Sequence, residues 1–473
     1  MAASAALAVG FDASGDLLMK VERSGAHRGR SEWVWAASFE RDPIGISVTQ
    51  HSSKRLKVGW SGERGRCVVA ARDARRGALL MSVPALGYVP FNELDSYELL
   101  EMGLDDATVA LSAEALATED GRRLVRALNI AKMAQADHAR VTDRLRASDA
   151  HVRVASAAQP RPRGEQRPRE KEIVARSGGD ADVALAHLAV KANLHLAHDD
   201  ETCSCAVGVG LYPACAMLNH SCMPTAVFSW SGSGAIMHVR ASVDLSEGDE
   251  VTCSYLRDEQ LYAPHEQRAA WLSAAFEFAP RDPPQRAELA ARLRREPTAS
   301  PDVRRRAQEA IAAVQQEVQQ QARHAAQEPQ QSKAPQSAVG LRAAVDRLEY
   351  LTHSELNGEV SPLDWTLQQC HAALLGAAQA LDEPQLVAQS ALHLLTVRQA
   401  LLPIGTPHLA GLFAAHGSAL GRLVASGEVA PDERAEVANA AARSLQAACK
   451  IRECCLGEQH PLSVATAAAL RRS

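Results

Sequence analysis

The apolar positions change period several times along the chain, and those changes divide it. From Arg64, RGRCVVAA and GALLMSV are β-branched or apolar runs separated by the polar, glycine-bearing RDARRG, which predicts two strands and a turn. Further on, AVFSW and AIMHVRA, joined by the small residues SGSG, predict a hairpin, and EVTCSYL after DLSEGD predicts another strand. Gly248 suits a turn position that needs positive φ. Between these β blocks, residues 91–155 place Leu, Ala, Glu and Arg at helical spacing with no proline after Pro90. They predict a helical insert over about 91–200, with a helical stretch through Leu194. The insert is interrupted at 157–180, where Pro, Arg and Gly without apolar period predict a solvated loop.

The flanks read differently. Residues 1–50 show no sustained period of two or 3.6 and are expected to form a poorly specified extension. Residues 285–340 turn to Gln, Arg and Ala and predict a helical connector, low in complexity beyond Pro329. From 341 to 473 the chain is nearly all helical in pattern, and Val387, Ala391, Leu394 and Leu395 form an apolar stripe on one face. LPIGTPHLA and CLGEQHPLS repeat a theme of a glycine stop and a histidine before the next helix. Their separation exceeds the roughly 34 residues of a tetratricopeptide unit, so the region predicts a degenerate helical array. His408 and His460 stand at helix starts, where capping or loop packing is expected rather than catalysis.

Composition narrows the function classes. Of 473 residues, 46% are hydrophobic and 23% charged, an ordinary globular mixture that excludes a wholly disordered, collagen-like or disulfide-scaffold chain. The formal charge of -5 supplies no global field toward nucleic acid or an anionic membrane. The basic residues of 157–180 are interleaved with Glu and lack aromatic neighbours for base stacking, so no strong nucleic-acid signal remains. No apolar run reaches the length of a transmembrane helix. The start lacks a basic n-region, and the ten unevenly spaced cysteines resemble thiols of a reducing compartment, so an intracellular protein, cytoplasmic or nuclear, is expected.

The chemistry is concentrated in GVGLYPACAMLNHSCMPTAVFSW and GDEVTCSYL. Asn219, His220, Ser221 and Cys222, followed by Pro224 and then by Gly248-Asp249-Glu250 and Tyr255, resemble the SET domain of protein lysine methyltransferases, specifically the SMYD family. ERGRCVVAARDARRGALL resembles that family's first signature, and the helical C-terminus with GEQHPL resembles its tetratricopeptide-like domain. The resemblance implies an α+β fold: a SET-type β core with a helical insert over 51–284, then an all-α region. It implies S-adenosylmethionine as cofactor, held by Arg64, Gly65 and Arg66 and by Asn219 and His220, with Tyr255 catalytic and in contact with the cofactor. Phe276 and Phe278, with Glu277 between them, would flank the adenine and the lysine channel, and Asn193 would add a contact. The implied reaction is methyl transfer to a lysine of a histone or non-histone protein, with a partner protein possible on the C-terminal helices.

The chain departs from that family in two places. Residues 84–200 contain no cysteine, so the MYND zinc finger is absent, and FEFAPRDPP lacks the cysteines of a post-SET zinc site. Cys203, Cys205, Cys215 and Cys222 match no standard finger spacing, and no metal is expected. A tyrosine of the family is Phe276 here. Two functions stay open on this reading, a lysine methyltransferase and a catalytically weak SET-derived binding scaffold.

Overall fold

The computed structural model describes residues 8–11, 17–22, 31–35, 55–61, 65–84, 87–90, 194–198, 206–212, 215, 218–231, 236–276, 278–280, 282–293, 295–327, 335–402 and 404–472. The helical insert over 91–155 and the loop at 157–180 lie outside them, as do Arg64, Asn193 and Glu277. The chain divides into two units, Met1–Tyr255 with Ala269–Pro280, and Leu256–Arg268 with Arg281–Ser473.

The first unit is β-rich. β1 (Ala8–Phe11), β2 (Leu17–Glu22) and β3 (Ser31–Trp35) form an antiparallel three-stranded sheet where the sequence predicted no element. SEWVW and LLMKVE are too short to establish a period by themselves, and their pairing along the chain is what defines them. β4 (Leu56–Ser61), β5 (Gly65–Ala70), β10 (Asn219–His220) and β13 (Glu250–Cys253) form a sheet in the order β10-β13-β5-β4. β6 (Leu79–Pro84), β11 (Ala226–Ser231) and β12 (Ile236–Ala241) form another, ordered β11-β12-β6. β7 (Gly87–Pro90), β8 (Leu194–His198) and β9 (Ala206–Leu211) form the last, ordered β7-β9-β8. Leu194 opens a strand, which corrects the helical reading of that position; LHLAH alternates over too few residues to stand out after a long helical pattern.

The predicted hairpin is present, with Ser231 opposite Ile236, and strict alternation on β12 buries Met237, Val239 and Ala241. β5 and β6, consecutive in sequence, do not pair with each other and enter different sheets. Two loops of the form Asp-x-x-x-Gly connect these layers and bond to each other reciprocally. Ala74 and Leu245 exchange backbone hydrogen bonds at 2.8 Å in both directions. Asp73 Oδ1 accepts from the Glu247 amide at 2.9 Å while Asp244 Oδ1 accepts from the Arg76 amide at 2.7 Å. Each loop ends on a left-handed glycine, Gly77 at φ 84° and Gly248 at φ 92°, where a Cβ would strain the turn. One core, including Leu56, Leu80, Met81, Tyr212, Leu218 and Val251, lies beneath.

The second unit is helical: α1 (His265–Phe276), whose residues from Ala269 count with the β unit, α2 (Pro284–Leu293), α3 (Pro301–Gln327), α4 (Pro335–Tyr350), a π turn (Leu351–Leu356), α5 (Trp365–Leu381), α6 (Pro384–Leu401), α7 (Pro407–Ser426), α8 (Arg434–Cys455) and α9 (Pro461–Leu470). The stripe Val387, Ala391, Leu394 and Leu395 is buried on α6. The segment read as a connector is part of this core: Ala307, Ala310, Ile311 and Val314 of α3 pack with Leu341, Val345 and Leu348 of α4 and with Leu367 and Leu374 of α5. Its Gln and Arg residues disguise an i, i+3, i+4, i+7 stripe of which half is alanine. Gly457 stops α8 at φ 99°, but the similar Gly405 has no positive φ, because α6 ends in extended Leu402 instead. Thr406 and His460 are the caps that follow, accepting from the amides of Leu409 and Leu462, each ahead of a proline in the first turn.

Candidate functional site

β10 is two residues long and runs parallel to β13 in a sheet whose other pairings are antiparallel, with Asn219 opposite Thr252 and His220 opposite Cys253. A parallel pair needs a crossover, and here the chain makes it through the hairpin β11–β12 of a different sheet. The segment after β10 is tied to β13 as well. Ser221 donates its amide to the Cys253 carbonyl at 2.9 Å, and Thr225 Oγ1 donates to the Glu250 carbonyl at 3.1 Å and accepts from the Thr252 amide at 2.8 Å. The Asn-His pair therefore sits in fixed backbone rather than on a free loop.

Asn219 and His220 are 9% and 8% exposed. Asn219 Nδ2 donates to Glu250 Oε1 at 2.8 Å, which orients the amide. His220 Nδ1 accepts from the backbone amide of Tyr255 at 3.0 Å. That bond requires an unprotonated Nδ1, so in the neutral ring Nε2 carries the hydrogen and points it at Cys222 Sγ, 3.3 Å away. The Tyr255 hydroxyl donates to the Leu218 carbonyl at 2.7 Å. Burial pushes the Tyr255 phenol well above its ordinary value, and the negative ends of Cys253 and Glu250 push it the same way. It stays protonated at neutral pH and serves as a hydrogen-bond donor, not as a base.

Rings gather at this point. Tyr255 lies 4.9 Å from Phe276, 5.4 Å from His220 and 6.2 Å from Phe278, and His220 lies 5.8 Å from Phe278. Phe276 ends α1 and Phe278 follows two residues on, so both phenyl groups reach the His220–Tyr255 pair from one short segment. Gly65 and Arg66 open β5, the end that the antiparallel register sets beside the Cys253 end of β13 and hence beside His220. Of the residues singled out in the sequence, Gly65, Arg66, Asn219, His220, Tyr255, Phe276 and Phe278 thus fall at one end of the β10-β13-β5 sheet. Arg64 and Asn193 lie outside the described residues.

Sequence reasoning passed over two participants, the Glu250 carboxylate that holds Asn219 and the Leu218 carbonyl that holds the tyrosine hydroxyl. Both stand inside quoted motifs without a role there, and the parallel pairing that gives them one joins segments far apart in sequence. Of the considered cysteines, Cys215 and Cys222 are buried thiols, and burial, then Cys253, pushes the Cys215 thiol well up. Among the described residues no three His, Cys, Asp or Glu groups stand in a metal-holding arrangement.

No curated protein sequence matches the chain. Among solved structures it is similar to one described as the crystal structure of the SET domain of LSMT bound to lysine and AdoHcy, at 10% identity and a TM-score of 0.24 over 89% of this chain and 87% of that one. The family comparison bears directly on the site: residues 65–256, from the first strand of the cluster to the residue after Tyr255, match the SET domain, and the β core they build is of that type, followed by a helical region.

Proposed function

We propose that this protein is an S-adenosylmethionine-dependent protein lysine methyltransferase, and that Tyr255 is its catalytic tyrosine. The observation that carries the reading is the meeting of Gly65–Arg66, Asn219–His220 and Tyr255, all within the segment matching the SET domain, with the Phe276 and Phe278 rings that follow it, at one sheet end. The donor set suits such a cofactor: aromatic faces attract a cation, and an oriented amide beside backbone groups can meet an adenine edge or an amino-acid end. When bound, S-adenosylmethionine supplies a methyl group on a cationic sulfonium.

The chain's own groups then have separate tasks. Asn219, fixed by Glu250, and His220, fixed by the Tyr255 amide, present a rigid binding edge. Phe276 and Phe278 exclude water, and that desolvation beside a cationic sulfonium would hold an entering lysine in its neutral, nucleophilic form. The protonated Tyr255 hydroxyl orients the amine for in-line attack, and alignment rather than proton transfer supplies most of the rate gain. The substrate is a protein, and the helical unit offers a surface for a partner. The SMYD-like affiliation rests on Asn-His-Ser-Cys, on Gly-Asp-Glu and on the helical C-terminus. The setting is intracellular, a reading that rests on the ten unevenly spaced cysteines of the sequence.

Calorimetric titration with S-adenosylmethionine and S-adenosylhomocysteine tests the reading, with Asn219→Ala prepared in parallel. Micromolar binding that the variant loses is the expected result. A folded wild-type protein that binds neither compound leaves the scaffold reading, which the missing post-SET cysteines favour.

A further inference from the structure

Tyr255 closes the first pass of the β unit, and the next residue, Leu256, opens the helical one. The few residues after the tyrosine meet several side chains of the helical unit. They turn through Gln260–Tyr262, a single 3-10 turn in which Leu261 is fully buried and Tyr262 is 2% exposed. Arg398 of α6, also 2% exposed, lies over the Tyr262 ring at 4.9 Å and bonds the His408 imidazole. The His408 backbone amide donates to Asp258 Oδ2 at 3.4 Å. Arg286 of α2 donates to the Leu261 carbonyl, and Arg268 of α1 donates through Nε to the Ala263 carbonyl at 2.9 Å.

Burying a guanidinium costs several kcal/mol unless its charge and donors are met. Packing α6 against its neighbours does not call for one, since an aliphatic side chain fills that volume without a charge to compensate. What Arg398 adds is a cation over one ring and, through His408, a fixed acceptor at Asp258, two points three and seven residues beyond Tyr255. The tyrosine's amide and hydroxyl are both committed within the β unit, and this flank follows them in the chain from the next residue.

We infer that Arg398 is a positioning residue for Tyr255: through Tyr262 and Asp258 it fixes the flank that follows the tyrosine directly in the chain. The inference that this matters for turnover rests on the methyltransferase reading; the structural part does not.

The experiment is hydrogen exchange by mass spectrometry on full-length wild-type protein, Arg398→Ala and Arg398→Lys, with cofactor titration and turnover on the same samples. Arg398→Ala is expected to speed exchange of fragments covering 254–263 about tenfold while the hairpin β11–β12 stays within about twofold. Turnover should drop about tenfold at unchanged affinity for S-adenosylmethionine, and Arg398→Lys, which keeps the cation but not the planar fork, should recover part of both. Unchanged exchange at 254–263, or a uniform rise across the protein, overturns the inference. If Arg398→Ala does not fold, the isosteric Asp258→Asn is read by the same criteria. Absence of cofactor binding by wild type defeats the proposed function instead, and the exchange result still decides the flank.

Discussion

The backbone amide of Tyr255 donates to the Nδ1 of His220 at 3.0 Å, so the imidazole at one strand's end fixes the start of the turn that carries the tyrosine. A side chain acting as the acceptor for a main-chain donor is hard to replace: without it a half-buried amide loses its partner. His220→Ala should cost about 1 to 3 kcal/mol of stability. It should also reduce affinity for S-adenosylmethionine at least about tenfold, because ring and anchored turn are lost together. Denaturant unfolding and calorimetry on one preparation measure both; unaltered affinity would show that His220 is packing alone.

Tyr255→Phe keeps the ring contacts with Phe276, Phe278 and His220 but removes the hydroxyl that donates to the Leu218 carbonyl. Stability should fall by only about 0.5 to 1.5 kcal/mol. Cofactor affinity should stay within about twofold while methyl transfer falls about a hundredfold, the signature of a group that acts on the transition state rather than on binding. A variant with full turnover would remove Tyr255 from the chemistry.

The site was legible in sequence because its pieces are local motifs. Asn219, His220 and Tyr255 stand in recognisable text, and Phe276 and Phe278 follow at a fixed interval. What joins them was not legible: the parallel contact of β10 with β13, and the division of β5 and β6 between sheets, are long-range pairings that no local period encodes. The helical end was readable where leucine and valine mark the stripe, as on α6, and hidden on α3, where Ala307 and Ala310 bear it among glutamines. Gly457 announced a true helix stop, but the similar Gly405 did not, since the residues that end α6 leave the helix before the glycine is reached.

Two glycines of α7 should respond to alanine in opposite directions. A Cβ on Gly417 would stand 2.8 Å from Leu445 Cγ and 2.9 Å from the Ala441 carbonyl oxygen, so α7 and α8 touch almost backbone to backbone there. Gly417→Ala should cost about 1 to 3 kcal/mol by overpacking, in spite of alanine's better helix propensity. Gly421 meets nothing within 4 Å, and Gly421→Ala should stabilise by about 0.5 to 1 kcal/mol. Urea midpoints of the pair decide the matter; similar shifts would mean that the crossing adjusts freely.

Stability should also fall in mild acid, and His371 is a principal source. It is 8% exposed on α5, stacked on His393 of α6 at 3.9 Å, and its Nδ1 has no hydrogen-bond partner among the described residues. Burial, then His393 and His353, brings the His371 imidazole down to about 3. His408 is likewise brought to about 3, by burial and then by the Arg398 charge. An unfolded histidine titrates near ~6.5, so between that pH and about 3 the unfolded chain takes up the proton first. Each group therefore contributes stability that is complete above about pH 6.5 and is lost on acidification at up to about 1.4 kcal/mol per pH unit. Unfolding free energies measured between pH 7.5 and 4.5 should decline accordingly, and His371→Leu should flatten the decline by the share of one histidine. A variant curve parallel to wild type would mean that His371 charges without opening the α5–α6 packing.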